Sequence, residues 1–138
     1  MIAMLRKNTK LDLLKQVPLF GDLSKRELES LASIADELDL PEGRELTREG
    51  ERGSEFIVIA EGSADVRRRG RTINKLSSGD FLGEIALVTG TPRTATVKTT
   101  TPSRVLVLTA PSFRKLLRES PPLQLKVLDA LAKRLPPE

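Results

Sequence analysis

The chain has no cysteine, no histidine, no tryptophan and no tyrosine, and its only aromatics are Phe20, Phe56, Phe81 and Phe113. Each absence removes a class of function. Without cysteine there is no disulfide framework, thiolate metal site or cysteine nucleophile. Without histidine the commonest general base and metal ligand is missing, and no Ser-His-Asp triad can form. So few aromatics leave little surface on which unpaired bases could stack. No apolar run approaches the roughly 20 residues that span a bilayer. The N-terminal MIAMLRKNTK also lacks the long apolar stretch and small-residue cleavage site of a secretory signal. The expectation is a cytoplasmic protein with no enzymatic activity, no metal and no membrane partner.

What is present points to one domain over residues 1–138, long enough to bury a core. The 23 Lys+Arg against 19 Asp+Glu leave a formal net charge of +4, a mild excess. Nucleic-acid binders gather basic residues on one face or helix. Here only Arg67-Arg68-Arg69, continuing to Arg71, forms a run. Beside Gly70 and between two candidate strands, it reads as a solvated hairpin tip.

The chain opens with a basic, loosely amphipathic stretch, Leu5 to Lys15, consistent with a short helix. Val17-Pro18-Leu19-Phe20 reads as a turn pinned into a core by Phe20. Ser24 with Glu27 three residues on makes a capping box, and Leu28, Leu31, Ile34, Ala35 and Leu38 follow at helical spacing. The helical segment is therefore expected over 1–38. From residue 39 the pattern changes to short strands cut by turn signals, with glycines at 43, 50, 62 and 79 expected at positive φ. Leu38-Asp39-Leu40 alternates, and the further strand candidates are Glu45–Thr47, Phe56–Ala60, Ala64–Val66, Thr72–Leu76, Thr94–Thr100 and Arg104–Thr109, a spacing that argues for a barrel or a sandwich. Helices return over 111–138. One carries Phe113, Leu116 and Leu117; the other runs from about Leu123 to Leu135 with a stripe of Leu125, Leu128, Leu131 and Leu135, read first as core packing.

The chemistry concentrates in residues 81–97, FLGEIALVTGTPRTATV. Gly83 and Glu84 precede a short apolar run that resembles one helical turn. The first N–H groups of such a turn lack partners inside the helix and attract anions. Arg93 adds a guanidinium fork suited to phosphate. Glu84 is an acceptor placed where a sugar hydroxyl could donate. One small ligand carrying a phosphate and a ribose satisfies all three.

At these residues the chain resembles the cyclic nucleotide-binding domain family, found in catabolite activator proteins, cyclic nucleotide-dependent kinases and cyclic nucleotide-gated channels. The match runs through Phe81, Gly83, Glu84, Ala86, Leu87, Pro92, Arg93, Ala95 and Val97, and it extends over roughly Leu14 to Leu117. The resemblance implies a mainly β fold with flanking helices. This is an antiparallel, jelly-roll-like β-roll (a double-stranded β-helix) with an N-terminal helical segment and two C-terminal helices. It further implies that Gly83 lets the backbone approach the ligand, that Ile85, Ala86 and Ala95 offer N–H groups, and that Arg93 holds the phosphate. Glu84 would accept the ribose 2′-hydroxyl. Thr94 keeps cGMP open beside cAMP, because threonine occurs here in several family sites that accept cGMP. Phe81, Val66 and Ile73 are candidate pocket linings, although plain core is the simpler reading for all three.

The function so implied is a cyclic nucleotide sensor, with cAMP ranked slightly above cGMP. Its output would pass through the C-terminal helices to an effector or a second copy of the chain. Two alternatives remain: a ligand-free interaction domain of the same fold, and the sensor portion of a catabolite-activator-like regulator. The second needs a further domain before nucleic acid becomes a partner.

Overall fold

The computed structural model describes residues 10–53, 55–82 and 92–134. The predicted N-terminal helix is seen as α1, Lys10–Gln16, whose Leu13 and Leu14 are buried; the part of the prediction before Lys10 lies outside the described residues. A 3-10 turn, Pro18–Phe20, follows, and Phe20 is fully buried as expected. Helix α2, Lys25–Ile34, begins with the predicted capping box: the Glu27 amide donates to Ser24 Oγ at 3.1 Å and the Ser24 amide donates to Glu27 Oε1 at 3.0 Å. The two bonds satisfy amides that the first turn would otherwise leave without partners.

The helical pattern was expected to run to Leu38, and it does not. The backbone turns extended at Ala35, Lys10 Nζ donates to the carbonyls of Ala32 (3.0 Å) and Ala35 (2.6 Å), and strand β1 begins at Asp36. Leu38 is paired with Val105 across two strands and is 45% exposed. A ladder of backbone partners from Asp36↔Val107 to Leu40↔Ser103 outweighs the helical repeat there.

Among the described residues eight strands form two antiparallel sheets. The other strands are β2 (Glu45–Thr47), β3 (Glu55–Glu61), β4 (Ser63–Arg68), β5 (Arg71–Ser77), β6 (Phe81–Leu82), β7 (Thr96–Thr99) and β8 (Ser103–Thr109). One sheet has the order β1-β8-β3-β6 and the other β2-β7-β4-β5. Chain neighbours lie in different sheets at several points, which makes a roll, as the resemblance implied. The turn glycines 43, 50, 62 and 79 have φ of 85°, 85°, 110° and 95°, as predicted.

The first sheet is the middle layer. Successive side chains of a strand point to opposite faces, so Phe56, Ile57, Val58 and Ile59, all buried, must serve two cores. Phe56 and Val58, paired with Leu108 and Leu106, face the helices. Ile57 and Ile59, paired with Val107 and Val105, face Ala64, Leu76 and Val97 of the second sheet.

Two C-terminal helices close the outer core. Helix α3, Ala110–Glu119, is capped by Thr109 and buries Phe113 and Leu116. Its Phe113 stacks on Phe56 with ring centroids 4.2 Å apart. The break before helix α4, Pro121–Arg134, is the single residue Ser120. Pro121 and Pro122 occupy the first turn of α4, where their missing N–H groups cost nothing. The core contacts of α4 are made by Leu123 and Val127, both buried; Leu125 and Leu128 are 70% and 62% exposed. The predicted leucine stripe is therefore not the packing face. The start fixed by the two prolines turns Leu123 and Val127, four residues apart, toward the core. The side chains of Leu131 and Leu135 lie outside the described residues.

Two outcomes follow for stability. Phe113→Ala removes the ring stacked on Phe56 and is expected to cost about 3–5 kcal/mol in chemical denaturation. Ser24→Ala is expected to cost about 1 kcal/mol at neutral pH. Glu27 is held below its ordinary value chiefly by the Ser24 amide and then by Ser120. A depressed carboxyl stabilises above its unfolded pKa, and that contribution disappears as pH falls through the folded value. The penalty of Glu27→Ala, which removes the carboxylate that the Ser24 amide holds, should therefore shrink in denaturation series taken below the ordinary glutamate range.

Candidate functional site

The site is built where the chain passes from one sheet to the other. Leu82 ends β6 in the first sheet, and Thr96 begins β7 in the second. Gly83, Glu84, Ile85 and Ala86, with the predicted helical turn, lie outside the described residues. Arg93, Thr94 and Ala95 lie within them, at the segment's exit.

Arg93 is fixed through its backbone and its side chain. Its amide donates to the Glu51 carbonyl and its carbonyl accepts from the Gly50 amide, both at 2.9 Å, which clamps it to the loop between β2 and β3. That loop is itself braced. Arg48 bonds Glu45 at 2.6 Å, and this bond holds the Glu45 carboxyl below its usual range. The Arg93 side chain is only 7% exposed, and Nη2 donates to the Glu55 carbonyl at the start of β3. A guanidinium is costly to bury and must be met by acceptors or negative charge.

Gly53 makes room for it. A Cβ at this position would overlap Nε, Cζ and Nη2 of Arg93. The sequence suggested only that Gly50 to Gly53 form a turn. The close approach to Arg93, 40 positions away, carries no local signal, and neither does the acceptor role of the Glu55 carbonyl.

Thr94 is exposed, and its carbonyl accepts from Arg68 Nε at 3.0 Å. Ala95 is buried, and its carbonyl accepts from Thr47 Oγ1 at 3.0 Å. Thr96 Oγ1 accepts from the Glu49 amide, and Glu49 Oε1 accepts from the Arg69 amide, each at 3.0 Å. The arginine tip, expected to be merely solvated, is tied by these bonds to the segment's exit. The tip itself is a two-residue turn, with Arg69 at φ 52° and Gly70 at φ 76°, the left-handed pair that suits a tight hairpin.

The three candidate pocket linings part company. Phe81 is half-buried and packs on Phe56 at 5.5 Å. Val66 is half-buried against the core between the sheets. Ile73 is 51% exposed, so the core reading fails for it. A register shift between Val66 and Arg67 leaves Ile73 without a cross-strand partner. It lines an open cleft of about 570 Å³ with Arg68, Arg69 and Arg71. Among the described residues there is no group of three metal-ligating side chains and no helix long and apolar enough to cross a membrane.

Residues 37–120 match the model of the cyclic nucleotide-binding domain, and the chain belongs to that family. It is 40% identical over 116 residues to the cAMP-dependent protein kinase regulatory subunit of Mycosarcoma maydis; the match covers 75% of this chain and 22% of that protein. The chain thus spans about a quarter of the length of such relatives, which are regulatory subunits by name. Among solved structures, the second cyclic nucleotide domain of a protein kinase A regulatory subunit bound to Sp-2Cl-cAMPS aligns with TM-score 0.77 and 27% identity, over 88% of this chain and 84% of that one. A regulatory subunit of a cAMP-independent protein kinase A from Trypanosoma brucei aligns with TM-score 0.80 and 25% identity, over 98% of this chain and 50% of that one. It is a triple mutant, one change introducing an arginine, with cAMP bound in its A site.

The packing of Gly53 against Arg93 gives a direct test. Gly53→Val is expected to drive the guanidinium off the Glu55 carbonyl while leaving the roll intact. A crystal structure of the variant would show the displaced side chain, and unchanged circular dichroism would show the intact fold.

Proposed function

We propose that this domain is a sensor for a cyclic mononucleotide, cAMP ahead of cGMP, with the phosphate held by Arg93 and by backbone amides of Ile85, Ala86 and Ala95. Gly83 admits the ligand to the backbone, and Glu84 accepts the ribose 2′-hydroxyl. The observation that carries this reading is the buried Arg93, set by its backbone against the 50–51 loop and by its side chain between Gly53 and the Glu55 carbonyl. A guanidinium so placed loses little freedom on binding and offers a charge-assisted, two-pronged contact to a phosphate. The exposed Thr94 hydroxyl leaves a guanine amine a partner, so cGMP remains a ligand of second rank.

The domain acts by binding, with no chemistry of its own and no cofactor beyond the nucleotide. The signal passes through α3 and α4 to a further domain, an effector such as a kinase catalytic subunit, or a second copy, in the cytoplasm. The ligand shifts that equilibrium only by its different affinity for the two states.

A second reading, the same fold without cAMP as its ligand, is favoured by one fact: the trypanosomal neighbour belongs to a cAMP-independent kinase. The structure with cAMP bound is of a triple mutant, one change of which introduces an arginine; the present chain has an arginine, Arg93, in the segment read as the phosphate site.

Calorimetric titration with cAMP and cGMP decides between the two. Heat is expected with cAMP, with at least about tenfold weaker binding in Arg93→Ala, since a charge-assisted contact contributes about 1.5–3 kcal/mol. The 2′-deoxy analogue should bind markedly worse than cAMP, because the Glu84 acceptor would lose its donor. No heat with either nucleotide, or equal affinity in Arg93→Ala, would overturn the proposal.

A further inference from the structure

The β4–β5 hairpin carries more positive charge than the nucleotide site uses. Arg67, Arg68, Arg69 and Arg71 fall within five positions. Arg67 reaches Asp65 at 4.0 Å. Among the described residues no carboxylate stands within ion-pair distance of the guanidinium groups of Arg68, Arg69 or Arg71. These three, with the half-exposed Ile73, line the cleft of about 570 Å³. Like charges set together around a concave surface raise the local concentration of anions.

We propose that this hairpin is a docking site for a short acidic segment of a partner protein, coupled to the nucleotide pocket through Arg68. Guanidinium forks match carboxylates two bonds at a time, and Ile73 between them offers an apolar seat for a neighbouring side chain. The positive patch is small and flanked by acid: Glu49 and Glu51 on the adjacent loop are exposed. That flank suits a peptide of a few residues and repels the extended phosphate surface of a duplex or a bilayer.

The coupling has a physical path. Arg68 Nε holds the Thr94 carbonyl, one peptide from Arg93, and the Arg69 amide holds Glu49, whose own amide holds Thr96. A carboxylate that draws on the Arg68 guanidinium competes with the Thr94 carbonyl and so acts on the backbone that positions Arg93. The docking claim stands without a nucleotide; only the coupling rests on the function proposed above.

The test is fluorescence anisotropy on the whole chain with a labelled Glu-Glu-Leu-Glu-Glu-Leu peptide, compared with short duplex DNA and phosphatidylserine vesicles. Saturable, salt-sensitive peptide binding is expected, weakened at least about tenfold in the Arg68→Ser, Arg71→Ser double variant. Saturating cAMP should change peptide affinity at least about fivefold. Arg68→Lys keeps the charge but has no Nε fork to share with Thr94, so it should hold peptide affinity within about threefold and abolish the cAMP effect. No saturable peptide binding, an unaffected double variant, or tighter binding of DNA or vesicles overturns the docking site. Intact peptide binding without a cAMP effect, in protein that gives calorimetric heat with cAMP, overturns the coupling. If cAMP gives no heat, the nucleotide reading fails and the peptide titration still decides the docking site.

Discussion

A buried guanidinium needs its surroundings built around it, and the placement of Arg93 organises one end of this roll. The backbone of Arg93 is hydrogen-bonded in both directions to the loop between β2 and β3, and its side chain rests on Gly53 and the Glu55 carbonyl. Both supports belong to one stretch of chain about 40 positions earlier. The exit of the ligand segment and the start of β3 are therefore one mechanical unit. Arg104 shows the contrast. It lies on β8 among Glu37, Asp39 and Glu61, at 3.7, 2.9 and 3.5 Å, and those carboxylates, Asp39 first, raise its pKa. That arginine joins β1, β3 and β8 at a sheet surface. Arg93 is sunk at the exit of residues 81–97, with a backbone carbonyl as the acceptor of its Nη2.

The rest of the architecture gives that unit a rigid base. The first sheet is covered on both faces, by the second sheet and by the helices, so the strand that follows Gly53 cannot shift without disturbing two cores. Phe56 is the second residue of that strand, and it stacks on Phe113 of α3 and packs on Phe81, the first residue of the 81–97 segment. Three of the four aromatics thus meet between the site and the C-terminal helices. Packed rings transmit displacement because a close-packed interior does not deform continuously. This contact joins the start of residues 81–97 to α3 through two ring pairs.

Charge is distributed along the same route. Arg68 and Arg69 of the hairpin, the loop acid Glu49, and Thr94 and Thr96 are laced by bonds of 3.0 Å from backbone or side chain. The exit of residues 81–97 and the basic cleft are thereby tied to one another.

Much of this was legible in the sequence because it depends on neighbours in the chain. The capping box at Ser24, the positive-φ glycines, the strand at 56–60 and the two-residue arginine tip are each set by residues a few positions apart, where backbone sterics and hydrogen-bond reach suffice. The family motif marked residues 81–97 in the same local way. Three things were decided only by folding. Leu38, which fits both the end of a helical repeat and an alternating Leu38-Asp39-Leu40, went to the strand because β8 offered it backbone partners. The leucines at 125 and 128 turned outward because Leu123 and Val127 met the core first. Gly53 and Arg68 came to touch the candidate site residues because distant segments placed Arg93 and Thr94 against them. A sequence records spacing along the chain, whereas burial and cross-strand contact arise between segments that only the fold brings together.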